Sequence, residues 1–178
     1  MQWSVDTSHA VIEFSVRHMG IMTVRGTFSD IDGNVEVEGD RPVSLTARIG
    51  VASLNTREER RDAHLRSADF FDVEHHPDLQ FRSTAVEERG ANRYRVVGDL
   101  TIRGQTHPVE LEMETTPVVK DPWGGRRMGI VLDGKLNRKQ WGLEWNMLLE
   151  GGGVLVGEEV RIHVEVEAFA PAQQATSA

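Results

Sequence analysis

Apolar and polar residues alternate one by one along most of the chain. In the first such segment Ile12, Phe14, Val16 and His18 share one face, with polar residues between them. A period of two is typical of a β-strand that has one buried and one exposed face. Comparable segments follow at fairly even spacing, near residues 24–28, 35–37, 45–51, 79–85, 94–102, 109–113, 130–136 and 160–166. The pattern therefore predicts about eight amphipathic strands.

Short turns separate these strands. Asp32-Gly33 has the composition of a turn, and residues 103–106 (RGQT) predict a tight type II′ hairpin with glycine at its first central position. A parallel sheet would need long crossovers and continuous apolar runs, and the sequence offers neither. Half-polar strands with short turns indicate an antiparallel barrel or sandwich, and closure into a barrel would remove the exposed edges. We therefore predict an all-β fold with an eight-stranded antiparallel barrel.

One segment, residues 56–71 (TREERRDAHLRSADFF), has a helical period instead. Thr56 and Glu59 are spaced as in a capping box, so a short helix is expected to begin there. Its face would carry Arg61, His64, Leu65 and Ala68. Residues 138–149 fit either a helical turn or a long loop, and three glycines follow at 151–153.

Composition excludes several classes of protein. The chain has 178 residues, of which 39% are hydrophobic, so it suits one domain with a real core. It has no cysteine, which excludes disulfides, thiolate metal sites and a cysteine nucleophile. A net charge of −8 argues against nucleic acid as a partner and against a polybasic membrane anchor. No integral membrane segment and no export signal are recognisable, so a cytoplasmic location is expected.

Candidate chemistry is sparse, because no familiar catalytic motif occurs. Asp62 and His64 could form an acid–base pair, although Asp62 could equally pair with Arg66 one helical turn later. The histidines at 75 and 76 are neighbours whose side chains would point apart, and a metal site would need His64 or His18 to join them. We therefore predict no metal, no cofactor and no catalytic residue.

The aromatic residues on or beside apolar faces have two interpretations. They could fill the core, or they could line a cavity, since an eight-stranded barrel can be packed solid or can hold one ligand. Alternation alone does not separate the two. The residues concerned are Phe14, Phe28, Phe70, Phe71, Phe81, Trp141 and Trp145.

A series of motifs resembles the YceI-like family of polyisoprenoid-binding proteins. The longest are residues 61–71 (RDAHLRSADFF) and 98–104 (GDLTIRG), which are too long to match by chance. The others, in chain order, are residues 3–6 (WSVD), 14–18 (FSVRH), 26–28 (GTF), 81–84 (FRST), 137–138 (NR), 141–143 (WGL) and 156–157 (VG). The resemblance covers nearly the whole chain.

This resemblance implies a lipocalin-like barrel with one short helix near its mouth. A single domain would span residues 1–170, and residues 171–178 would be a frayed tail. Members hold a long isoprenoid or similar amphipathic lipid inside the barrel, and several are dimers, so a homodimer is an alternative to a monomer here. Many members carry an export signal, and its lack in this sequence favours a cytoplasmic relative.

The function expected from the resemblance is to bind, carry or sequester a long-chain isoprenoid-type lipid, such as a polyprenyl chain or a quinone. Two alternatives stay open: an enzyme acting on a hydrophobic substrate through Asp62 and His64, and a filled barrel that acts through protein contacts. Four polar residues would hold the lipid's head, namely Arg61, His64, Asn137 and Arg138. The tail would contact inward residues, namely Phe14, Val16, Phe28, Phe81, Leu100, Ile102, Leu132, Trp141 and Trp145. His18 would be an interior polar group on the same face.

Overall fold

The computed structural model describes residues 1–173, which form one antiparallel sheet rolled into a closed barrel. The elements in chain order are β1 (Gln2–His18), β2 (Met22–Phe28), β3 (Ile31–Glu38), β4 (Arg41–Gly50), α1 (Glu59–Arg66), β5 (Asp78–Gly90), β6 (Arg93–Ile102), β7 (Gln105–Thr115), β8 (Val119–Lys120), β9 (Arg126–Asn137) and β10 (Val156–Ala170). Single 3₁₀ turns follow β4 and β9, at Val51–Ser53 and Arg138–Trp141. Residues 174–178, most of the predicted tail, lie outside the described part. No helix within residues 1–173 is long and apolar enough to cross a membrane.

The strands occupy eight places around the barrel, which confirms the predicted fold. β2 and β3 share one place because both run antiparallel to β1: β2 pairs with its second half and β3 with its first residues. From there the order is β4, β5, β6, β7, β9 and β10, and β10 pairs again with β1 to close the ring. β8 is a two-residue extension beside β9.

Two predicted turns were wrong in detail. Asp32-Gly33 lies inside β3, where a side chain at Gly33 would come within 3.0 Å of Val5 Cγ2. Gly33 therefore does not form a turn; it allows β3 to approach β1 closely. The β6–β7 hairpin has positive φ at both Arg103 (50°) and Gly104 (70°), so it is a type I′ turn with glycine at the second central position.

The helix is shorter than predicted and is capped differently. It begins at Glu59, and the side chain of Glu58 accepts hydrogen bonds from the backbone N–H groups of Arg60 and Arg61. Thr56 is not the cap, because its backbone N–H and its hydroxyl both donate to the buried carboxylate of Asp62. Because Thr56 is bound to Asp62, the expected capping box of Thr56 and Glu59 is not formed.

The two ends of the barrel differ in how they are built. At one end large inward side chains from every side meet and exclude space; we call it the filled half. Its buried residues include Trp3, Val35, Leu45, Tyr94, Val96, Met113, Met128, Ile130 and Val166. The other end, the hollow half, is covered by the two long connections, residues 51–77 and 138–155. Arg103 of the β6–β7 hairpin joins them by donating to Phe70 O at 3.1 Å and to Gly142 O at 3.5 Å.

Candidate ligand-binding cavity

The hollow half encloses an apolar cavity of about 510 Å³. Its wall is formed by residues of β2 and of the eight strands β1, β3, β4, β5, β6, β7, β9 and β10, and its cover by α1 and the two long connections. A volume of this size lies within the range of small-molecule sites, about 300–1,000 Å³. The interior of this barrel is therefore open at one end. The aromatic residues near the mouth line a cavity and do not fill the core.

The structure places nearly all the predicted site residues on this one cavity. Those that line it are Phe14, Val16, His18, Phe28, Arg61, His64, Phe81, Leu100, Ile102, Leu132, Arg138 and Trp145. Some of them lie more than 100 positions apart in the sequence, and they come together because the barrel closes. Whether they bind a ligand stays a prediction.

Asn137 and Trp141 lie outside the cavity lining. The Asn137 side chain accepts from Lys139 N at 3.0 Å and caps the 3₁₀ turn after β9. The Trp141 ring is fully buried, and its indole N–H donates to Leu100 O at 2.9 Å. Both residues thus fix the course of the chain after β9, and Asn137 is exposed at an open, highly charged depression of about 820 Å³ on the outer wall.

Inward glycines keep the cavity open by letting large side chains lie against the wall. A Cβ at Gly98 would come within 2.4 Å of Phe81 Cζ, and a Cβ at Gly26 within 2.3 Å of Phe14 Cζ. Each ring therefore lies over a position that has no side chain. Any larger residue at these positions would push an aromatic ring into the cavity.

Arg138 is a buried guanidinium at the cavity wall. Its side chain is 3% exposed and donates to Gly157 O at 2.8 Å, Trp145 O at 3.0 Å and Val156 O at 3.2 Å, as well as to Leu143 O. Within residues 1–173 no carboxylate lies within 4.0 Å of it. Burial lowers the pKa of Arg138 below its ordinary value, although a guanidinium keeps its charge. Arg138 thus holds the loop that carries Trp145 and brings an unpaired positive charge to the cavity.

Arg61 and Asp62 are tied to the segment before α1. The Arg61 guanidinium donates from Nε to Thr56 Oγ1 and from Nη2 to Thr56 O, both at 2.7 Å. Its Nη1 group has no protein partner among the described residues, and the side chain lines the cavity. Arg66 donates to the carbonyls of Ala52 and Leu54, so the alternative Asp62–Arg66 pair was wrong.

His64 lies at the cavity cover and has an acidic partner that the sequence pattern did not indicate. Its Nε2 lies 2.8 Å from Asp69 Oδ2, and its ring packs edge-on against Trp145 and Phe70 at centroid distances of 4.5 and 5.1 Å. Because the Asp62 carboxylate is engaged by Thr56, the suggested Asp62–His64 acid–base pair is not formed. The pair present is His64–Asp69, five residues apart and brought together by the turn after α1.

Arginines make up half of the polar residues in the lining. Besides the residues already described it includes Arg17 and Arg60, and Glu13 is the only carboxylate among the described lining residues. Arg17, Arg60, Leu65, Leu155 and Val156 were not predicted as site residues. Leu65 could have been found from its helical face, whereas Leu155 and Val156 follow a loop whose path has no sequence signal.

The candidate metal-ligating side chains lie away from the cavity. Among the residues that the structure describes, the one group within ligating distance of one another is Asp6, His9 and Glu167, in the filled half. Arg127 forms ion pairs with both Asp6 and Glu167, so both carboxylates already have a cationic protein partner. His75 pairs with Asp72 on the surface, so it does not join His64.

Comparisons with known proteins agree with the fold and the motifs. The family model of the YceI-like domain matches residues 3–168. A UPF0312 protein of Staphylococcus epidermidis is 35% identical over 171 residues, which cover 93% of this chain and 96% of that protein. A UPF0312 protein of Staphylococcus aureus is 36% identical over 170 residues, covering 93% and 95%.

Solved structures show the same architecture. The Campylobacter jejuni YCEI protein is 27% identical with a TM-score of 0.74, covering 86% of this chain and 89% of that one. A polyisoprenoid binding domain from Saccharophagus degradans is 13% identical with a TM-score of 0.72, covering 95% and 98%. At that identity the second likeness shows the fold alone.

Proposed function

This chain belongs to the YceI-like domain family, and on that premise we propose that its barrel binds a long-chain isoprenoid-type lipid. The lipid, such as a polyprenyl chain or a quinone, would be carried or sequestered in the cavity of the hollow half. The observation that supports the proposal most directly is a cavity of about 510 Å³ whose lining is apolar and whose border includes several arginines.

The chemistry of the lining suits an amphipathic ligand. Each methylene removed from water yields about 0.8 kcal/mol, so the apolar wall would hold a hydrocarbon tail. A membrane solvates that tail equally well, and the net preference for the protein therefore depends on shape and on the head. Arg61, His64 and Arg138 would contact the head, which favours an anionic or carbonyl-bearing group. The polyisoprenoid binding domain that shares this fold makes isoprenoids the first class to test.

We propose a binding role rather than catalysis. Asp62 and His64 have separate partners, so the sequence-based catalytic hypothesis loses its pair. A cytoplasmic location and a homodimer stay predictions of the sequence.

Native mass spectrometry on delipidated protein would test lipid binding. The probes are a polyprenol and the polyprenyl phosphate of the same chain length. We expect one lipid per chain, and Val16→Trp, which projects an indole into the cavity, should weaken binding at least about tenfold. Ser15→Trp is the matched control, because Ser15 lies next to Val16 on β1 but lines the outer wall. Arg61→Met should weaken the phosphate more than the alcohol.

Circular dichroism would verify that both tryptophan variants keep the barrel. The proposal fails if the folded wild-type protein takes up neither lipid. It also fails if Val16→Trp and Ser15→Trp bind equally well, because the lipid would then lie outside the cavity.

A further inference from the structure

Two neighbouring loops at the cavity mouth expose large apolar side chains to solvent. The tip of the β1–β2 hairpin carries Ile21, which is 77% exposed, and the loop before β10 carries Leu148, which is 83% exposed. We call the whole set the apolar collar; its members are Met19, Ile21, Met22, Met147, Leu148 and Val154. Isolated exposed apolar residues are ordinary, but a contiguous set marks a surface that binds something.

The collar is one structural unit. Met19 N donates to Leu155 O at 2.8 Å, which joins the two loops, and Leu148 and Val154 form a β-bridge within the second loop. In the 12 residues from Trp145 to Val156 the only charged side chain is Glu150, although charged residues make up 27% of the chain. This segment is therefore poor in charge although its exposed position in solvent would suit charged residues.

The collar continues directly into the cavity. His18, next to Met19, and Leu155, next to Val154, both line the cavity wall. Cationic groups lie close to the collar: the Arg17 guanidinium donates to Gly20 O at 2.9 Å within the β1–β2 hairpin, and Arg60 and Arg61 of α1 border the cavity. Apolar tips in front of cationic groups are complementary to a bilayer, whose hydrocarbon lies beneath a layer of phosphates.

We propose that the apolar collar docks the protein on the surface of a lipid bilayer, with the cavity mouth facing the membrane. The purpose assigned to this docking, transfer of a lipid without exposing its tail to water, rests on the proposed function; the docking itself does not. A second copy of the chain is the rival occupant, but pairing through the collar would place cationic groups of two mouths against each other. The chain's net charge of −8 further predicts that apolar insertion, rather than attraction to anionic lipid, dominates binding.

Vesicle flotation would test the docking. Vesicles of phosphatidylcholine alone and of phosphatidylcholine mixed with phosphatidylglycerol are compared at low and high salt. We expect the wild-type protein to float with both, with little effect of salt, and Ile21→Ser/Leu148→Ser to lose at least about tenfold in partitioning. The matched control is Val119→Ser/Trp123→Ser, which removes two side chains that are 58% and 79% exposed at the filled end.

A second measurement uses the absence of cysteine from the chain. An environment-sensitive fluorophore on Ile21→Cys should shift to the blue on vesicles, whereas the same label on Val119→Cys should not. Equal flotation of the two double variants, or no flotation of the wild-type protein, would overturn the proposal. So would a wild-type dimer that Ile21→Ser/Leu148→Ser converts to a monomer with vesicle binding unchanged, because the collar would then be a protein interface.

The outcomes of the two proposals are separable. A protein that takes up polyprenol in solution but ignores vesicles keeps the proposed function and loses the docking. A protein that floats but takes up no lipid keeps the docking and loses the proposed function.

Discussion

The filled and hollow halves are built from the same strands yet have opposite interiors. In the filled half the inward positions carry Trp3, Met113 and Ile130, which are almost completely buried. In the hollow half the same alternation continues, but inward glycines replace some side chains and aromatic rings lie over them. The difference shows that a barrel interior is opened by small residues and by loops, while the strand pattern is unchanged.

The halves also differ in polar content. Within the described residues, the one buried side-chain nitrogen without a hydrogen-bond partner is Trp3 Nε1, in the filled half. The hollow half buries Arg138 with several carbonyl partners and brings further cations to the cavity. Packing therefore stabilises one half, whereas the other combines looser packing with polar contacts suited to a ligand.

The largest expected difference between the halves lies in matched truncations of isoleucine. Ile130→Ala removes a fully buried side chain from the filled half and should cost about 2–5 kcal/mol in free energy of unfolding. Ile162→Ala, on the neighbouring strand at the cavity wall, should cost only about 1 kcal/mol, because part of that side chain already faces empty space. Urea unfolding followed by circular dichroism measures both.

Equal costs for the two variants would contradict the distinction between the halves, because they would mean that Ile162 is packed as tightly as Ile130. An unchanged m-value is the control that both variants unfold from the same compact state.

A smaller effect is expected from filling the wall of the hollow half. Gly98→Ala should cost about 1–3 kcal/mol, because the new methyl group overlaps the Phe81 ring and forces it toward the cavity. It should also weaken lipid uptake, measured by native mass spectrometry. Gly157→Ala is the control, since its nearest contact would be an ordinary 3.4 Å to Arg17 O. Undiminished uptake by a destabilised Gly98→Ala would show that Phe81 moves away from the cavity.

Much of the barrel could be predicted because alternation reports which face of a strand is inward. Phe14, Val16, Leu100 and Leu132 were placed on one interior by that rule, and the structure confirms that they share it. The filled and hollow halves could not be told apart, since Ile130 and Ile162 occupy equivalent positions in the pattern. Only the closing of the ring and the path of the long connections decide which inward residues meet.

The polar contacts of the cover were harder to predict than the strands. The spacing of Thr56 and Glu59 predicts a helix start at Thr56, but Glu58 is the cap, because Thr56 donates instead to the buried carboxylate of Asp62 within α1. His64 finds Asp69 through the turn after the helix, a spacing that no helical rule singles out. Such pairings depend on tertiary structure, so local sequence rules do not determine them.

The smallest expected effect concerns the outer wall of the hollow half. The hydrogen bond between His163 Nδ1 and Asp133 Oδ1, 2.6 Å long, raises the pKa of His163 above its ordinary value of 6.5. The protonated histidine is favoured in the folded state, so the stabilisation is complete below pH 6.5 and is lost as the pH rises through the raised folded-state pKa. The side chains are about half exposed and solvent screens them, so His163→Gln should cost no more than about 1 kcal/mol in free energy of unfolding at about pH 5.5 and almost nothing at about pH 9.

Urea unfolding of the wild-type protein and of His163→Gln at the two pH values measures this difference. A loss as large as that of Ile130→Ala would break the comparison, because the hollow half would then depend on its outer surface for the stability that its interior lacks.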